Sequence, residues 1–411
     1  MSDPQIIVLD NGLRLVHLHR PGVFAGIFGI TVAAGSASES ASEHGLAHLV
    51  EHNIFKGTAK RRSWHITNRI ESDGGELNAF TTKEETTVYA IFPAGNPKRP
   101  IELIADLAIN SVFPAAELDK EREVVIDEIN SYRDTPMDAV YDDFEDMVYA
   151  GSPLGHNILG TPDSVRSLDS EACCHFLRRH YTVASSVLFY SGPDSADTVR
   201  RTACRYFAAL PAGTPSGTTP ESRPTEYRHV SDSIAIDGLH QSHTVVGMPI
   251  GSIYDNSRYG DALFSNIIGG PGMNSLLNVE LRERRGLVYT VEASVARFTT
   301  TGLLTVYYGC DADDTDRCLN LVRRTARRLA DTPEPALARL LARGIKQYCG
   351  QLSIAAENYE SRIMNAARSV LFNGTLSDLR HTISRLEAVT PEFIRRRADE
   401  LARADFLTYH P

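Results

Sequence analysis

The chain has 411 residues, 42% hydrophobic and 23% charged, with a formal net charge of −10. That length exceeds one ordinary core, so two domains of roughly 200 residues each are expected. The negative balance excludes a nucleic-acid binder, which needs a basic footprint; Arg395-Arg396-Arg397 is flanked by Glu392, Asp399 and Glu400 and reads as a solvated helix face.

The start, Met1-Ser-Asp-Pro, lacks a basic region followed by an apolar core, so no targeting segment is expected. Residues 6–18 read as two β runs about an Asn-Gly turn, a strong hairpin signal. A strand pattern follows at 26–34. The apolar stretch around it, 23–34, is broken by glycines and falls far short of the roughly 20 residues that span a bilayer, so no membrane segment is expected.

His48-Leu-Val-Glu51-His52 comes next. On a helix, two imidazoles four positions apart lie about 40° apart around the axis and share one face. That spacing can grip one metal ion with two ring nitrogens. Glu51 flanks the same face, where its carboxylate could hold a water and take a proton from it. The order is the inverse of the His-Glu-x-x-His zinc-protease helix. Leu46, Leu49, Val50 and Ile54 form an apolar stripe opposite, so the helix can pack on one side and carry chemistry on the other. On these residues alone, a metal grip and a hydrogen-bonded structural histidine pair both stand. A catalytic zinc usually takes three protein groups, so a third ligand decides between them. His44 lies outside the ligand spacing and reads as a cap or loop residue.

A helix is expected at 64–72 and strands at 76–81 and 86–92, the first entered through Gly74-Gly75. The segment 117–130 is charged and strongly helical. Glu121 and Glu128, seven apart, share a face about 10.5 Å apart along the axis, while Glu123 and Asp127 point elsewhere. Taken alone, this segment reads most simply as a solvated face. Mostly helices follow to about residue 210, and His156 sits in a turn-like stretch as a structural histidine.

Residues 211–228 are rich in Pro, Gly, Ser and Thr without apolar periodicity and read as a linker, dividing the chain into 1–210 and 229–411. The second half repeats the first weakly. Asn53-Ile-Phe-Lys-Gly aligns with Asn266-Ile-Ile-Gly-Gly, and 75–94 and 286–309 both read as two strands with a turn. At the places of His48 and His52 the second half is expected to offer Leu263 or nearby apolar residues, with no histidine. The expected fold is α+β: two similarly folded domains from an internal duplication, each a mainly antiparallel sheet packed with helices, with one armed copy. Arg282–Arg285 reads as a solvated helix end. The six cysteines have no metal-ligand spacing and make no disulfide framework, so reduced thiols in a cytoplasmic protein are expected. There is no Ser-His-Asp or Cys-His arrangement, and Gly269-Gly-Pro-Gly272 lacks the Lys-Ser/Thr of a phosphate loop.

The inverted His-x-x-Glu-His, the glutamates at 121 and 128, Asn78-Ala-Phe-Thr81 and Arg282-Glu-x-x-Gly-Leu-x-Tyr289 together resemble the peptidase family of pitrilysin, insulin-degrading enzyme and the mitochondrial processing peptidases. The likeness is best to its shorter-subunit branch and runs along essentially the whole chain. The resemblance implies one zinc per chain held by His48, His52 and Glu128. It makes Glu51 the general base and Glu121 a supporting group of the catalytic site. It implies peptide binding at Asn78 and Ala79 on a strand edge, and at Arg282 and Tyr289 near the scissile carbonyl. The function implied is a zinc metalloendopeptidase for short or unfolded polypeptides, working as a homodimer with shared sites. The alternative is a non-catalytic peptide-binding or partner subunit of the same fold, a kind that typically loses part of the metal motif.

Overall fold

The computed structural model describes residues 3–214 and 225–411. Most of the expected linker, 215–224, lies outside the described residues. The chain forms two compact units, each built on one sheet. The first comprises Met1–Ser131, His156–Gly217 and Ala356–Ser377; the second comprises Tyr132–Gly155, Thr218–Ala355 and Asp378–Pro411. These units are not contiguous in sequence, unlike the division 1–210 and 229–411.

The first sheet has strands β1 (Gln5–Val8), β2 (Arg14–His19), β3 (Ala25–Val32), β4 (Glu76–Thr81), β5 (Thr86–Pro93) and β6 (Ser186–Gly192). Their spatial order is β1-β2-β6-β3-β5-β4. β1 and β2 form the antiparallel hairpin foreseen around Asn11-Gly12, with Gly12 at φ +91° in the turn. β2 and β6 pair in parallel and the remaining neighbours pair antiparallel. Because β4 ends the sheet, its outer backbone groups have no strand partner among the described residues.

Both faces of this sheet are covered, which is why β2 reads as a run of buried residues rather than an alternation. On one face Phe28, Ile30 and Val88 pack with Leu46, Leu49, Val50 and Ile54. These four are the apolar stripe of the His/Glu helix, Leu46–Asn53, and each is fully buried. On the other face Val16, Leu18, Val187 and Phe189 pack under Ile363, Ala366, Ala367 and Val370. Those last four belong to the helix Tyr359–Asn373, which comes from the far end of the chain.

The second sheet has β7 (Asp232–Ala235), β8 (Ser242–Ile250), β9 (Val288–Arg297), β10 (Gly302–Cys310) and β11 (Asp405–His410), in the order β7-β11-β8-β10-β9. Counted from the first strand of each repeat, this is the order β2-β6-β3-β5-β4, and here too the last strand lies parallel to the first. The duplicated α+β fold is therefore present. The helix Arg258–Gly269 follows β8 as the His/Glu helix follows β3; in the register of Asn53 with Asn266, the buried polar residues Asp261 and Ser265, rather than the expected apolar ones, stand where the first half has His48 and His52. One face of the second sheet is packed by that helix; the other meets Pro136–Val148, whose Phe144 lies against Gly247 so closely that a Cβ there would sit 2.3 Å from its ring. Each unit thus contains one helix drawn from the other half of the sequence.

Arg397 departs from the solvated face expected of 395–397: it is 8% exposed and binds Asp261 and Glu400. No helix among the described residues is long and apolar enough to cross a membrane.

Candidate metal centre

The helix Leu46–Asn53 begins at Gly45, whose φ of +90° needs a residue without a side chain; a Cβ there would meet the carbonyl oxygen of Leu159 at 2.7 Å. The first free N–H groups of a helix need acceptors. Glu39 supplies them, accepting from Gly45 N at 3.0 Å and Ala47 N at 2.7 Å. Its fully buried carboxylate also lies 3.2 Å from His156 Nε2, and His156 stacks on His44 at 3.9 Å. His44 and His156 are structural, as expected, and serve the helix start.

Helical spacing then places His48 and His52 on one face, ring centroids 4.6 Å apart. The helix Ala115–Arg133 brings Glu128 to them: its Oε2 lies 3.3 Å from His52 Nε2 and 3.8 Å from His48 Nε2. Burial, with His52 adding to it, pushes His48 down to about 3, so its imidazole is neutral and the contact is no ion pair. Two imidazoles and one carboxylate therefore converge on one point. Ligand atoms around a tetrahedral zinc at about 2.0–2.1 Å lie roughly 3.3 Å apart, so this donor set fits zinc. His48, His52 and Glu128 form the one such group among the described residues.

Glu51, on the same helix, has a buried Oε2 with no hydrogen-bond partner. Burial, supported by Glu128, raises its carboxyl above the ordinary range against a hydrogen bond from Thr81. Glu121 lies about two helical turns before Glu128. Its Oε2 is 3.4 Å from His52 Nδ1, and its Oε1 is 2.7 Å from Lys56 Nζ. A carboxylate only accepts, so in the tautomer with its proton on Nδ1 His52 donates to Glu121 and presents Nε2 to a metal. Glu123 and Asp127 are exposed and outside the cluster.

Asn78 and Ala79 are half-buried on β4, paired with Tyr89 and Val88 of β5. Gly75 enters that strand so near β5 that a Cβ would lie 2.5 Å from Ile91 O. Arg282 and Tyr289 belong to the second unit, both exposed, Tyr289 by 85%. Arg282 lies in a π-helical turn, Asn278–Glu283. Arg284 and Arg285 are not free surface charge: both pair with the buried Glu280, as does Arg328.

Two family models match, insulinase (peptidase family M16) over residues 17–162 and the peptidase M16 inactive domain over 167–342. An uncharacterized zinc protease of Streptomyces coelicolor is 30% identical over 408 residues, 97% of this chain and 88% of that protein. The chain belongs to the M16 peptidase family. An uncharacterized zinc protease of Bacillus subtilis is 27% identical over 97% of this chain and 95% of that protein. The M16 fold is seen again in a peptidase M16 inactive domain from Pseudomonas fluorescens, with a TM-score of 0.89 at 18% identity covering 100% and 98% of the two chains. A protease from Helicobacter pylori gives 0.86 at 17% identity, covering 100% and 99%. This M16 chain is a zinc-dependent metallopeptidase.

Proposed function

We propose that this M16 peptidase is a zinc metalloendopeptidase hydrolysing short or unfolded polypeptides, with one zinc per chain held by His48, His52 and Glu128. The observation that carries the proposal is the convergence of two imidazoles and one carboxylate beside the unpartnered Oε2 of Glu51. Bound zinc supplies Lewis acidity for the scissile carbonyl and for water. Glu51 takes the proton of the attacking water and passes it to the leaving amine. Glu121 holds His52 in its binding tautomer.

The free edge of β4 at Asn78 and Ala79 suits an extended peptide, which would bind through its backbone with tolerance of side chain. That demand for an extended segment is the reason to expect unfolded substrates. Arg282 holds the substrate by charge, and Tyr289 donates to the carbonyl oxygen as negative charge develops. The enzyme acts in the cytoplasm, where its six cysteines stay thiols, as a homodimer with shared sites.

The test separates metal from base. His48→Ala, His52→Ala and Glu128→Ala each lose zinc, measured by plasma mass spectrometry, and activity with it. Glu51→Gln keeps stoichiometric zinc and loses about 10²–10⁴-fold in kcat on a peptide mixture followed by mass spectrometry. Near-normal turnover by Glu51→Gln, or zinc retained by the ligand variants, overturns the assignment.

A further inference from the structure

Lys56 lies four residues beyond His52, past the end of the metal helix at Asn53. Its backbone is pinned on both sides: Lys56 N donates to Asn53 O at 3.0 Å, and Gly57 O accepts from Val112 N at 3.1 Å. Gly57 is packed so tightly that a Cβ there would meet Pro114 Cγ at 2.9 Å. The lysine side chain therefore starts from a fixed point. Its ammonium reaches Glu121 Oε1 at 2.7 Å, and the two side chains are 28% and 14% exposed.

This pair sets the plane of the Glu121 carboxylate. With Oε1 tied to Lys56, Oε2 is left 3.4 Å from His52 Nδ1, while His52 Nε2 lies 3.3 Å from Glu128 Oε2. A row of Lys56, Glu121, His52 and Glu128 results, in which each contact orients the next. Without the ammonium, the Glu121 side chain is free to leave His52, and the imidazole loses the acceptor that fixes its ring and tautomer. Outer contacts of this kind set how long a metal stays bound.

We propose that Lys56 is a positioning residue of the metal centre, which holds Glu121 against His52 and so slows release of zinc. The proposal rests on His52 being a zinc ligand.

The test uses the zinc-loaded full chain and a chromogenic pyridylazo chelator. Lys56→Met should release zinc about 3–10-fold faster than wild type, a smaller effect than the roughly 10–100-fold expected when an outer contact itself is removed. Lys56→Arg, which keeps the charge, should restore slow release. In cobalt-substituted protein the visible ligand-field bands should shift in Lys56→Met and return in Lys56→Arg. The melting temperature of the metal-free protein should stay unchanged, since a merely structural lysine would move that and leave the spectrum alone. Lys56→Gln gives the same reading if the methionine variant is unstable. Wild-type release and an unshifted cobalt spectrum in the neutral variants overturn the proposal, provided His52→Ala loses zinc. Zinc retained by His52→Ala instead overturns the ligand assignment beneath it.

Discussion

Glu121 offers one oxygen to His52 and the other to Lys56, so its removal should be felt at the metal without taking away a ligand. Glu121→Gln is expected to cost roughly 10–100-fold in zinc affinity or activity, seen as faster loss to a chelator from protein that still purifies with metal. Chelator kinetics identical to wild type would return Glu121 to a solvated helix face. What was readable at this scale was what is local. Two histidines and a glutamate within one helical turn must share a face whatever the tertiary fold does. Glu39 and Lys56 escaped reading because their partners are fixed by packing. Glu39 stands six residues before the Gly45 amide it serves, outside any capping-box spacing, and Lys56 meets a glutamate 65 positions away only once two helices are packed.

At the scale of the element, the metal helix depends on how it begins. Gly45→Ala would force a side chain into the left-handed region and against Leu159 O, a strain of about 1–3 kcal/mol. The expected result is a lower melting temperature by calorimetry. Weaker zinc retention should accompany it, because Glu39 binds the same amide. An unchanged melting temperature would mean that the turn relaxes and the left-handed residue is dispensable. The hairpin at β1 and β2, the two strands after the metal helix and their echoes in the second half were all visible in turn residues and apolar spacing. β6 was not: it lies among helices and pairs with strands more than 150 residues away in sequence. The exchange of Tyr359–Asn373 and Pro136–Val148 between units was equally hidden, since an amphipathic helix carries no label for the sheet it will cover.

For the whole molecule, Arg282 and Tyr289 lie in the second unit, and His48, His52 and Glu128, the proposed zinc ligands, in the first. If two copies share their sites, each single variant, His48→Ala or Arg282→Ala, should be poorly active alone. Mixing them should restore activity, because one site of the mixed dimer then carries both defects and the other neither. No recovery, with exchange of differently tagged subunits confirmed, would place both groups in one chain or deny the dimer.

The exchanged helices also bear on how the gene can be divided. The linker is the natural place to cut, yet a fragment ending there would leave Val16, Leu18, Val187 and Phe189 bare, because the helix that roofs them is encoded some 150 residues later. The complementary fragment would lack Pro136–Val148 over its own sheet. Neither half is a module that evolution or an engineer could transplant alone. Duplication made two domains here, but the exchange ties the inheritance of each to the other.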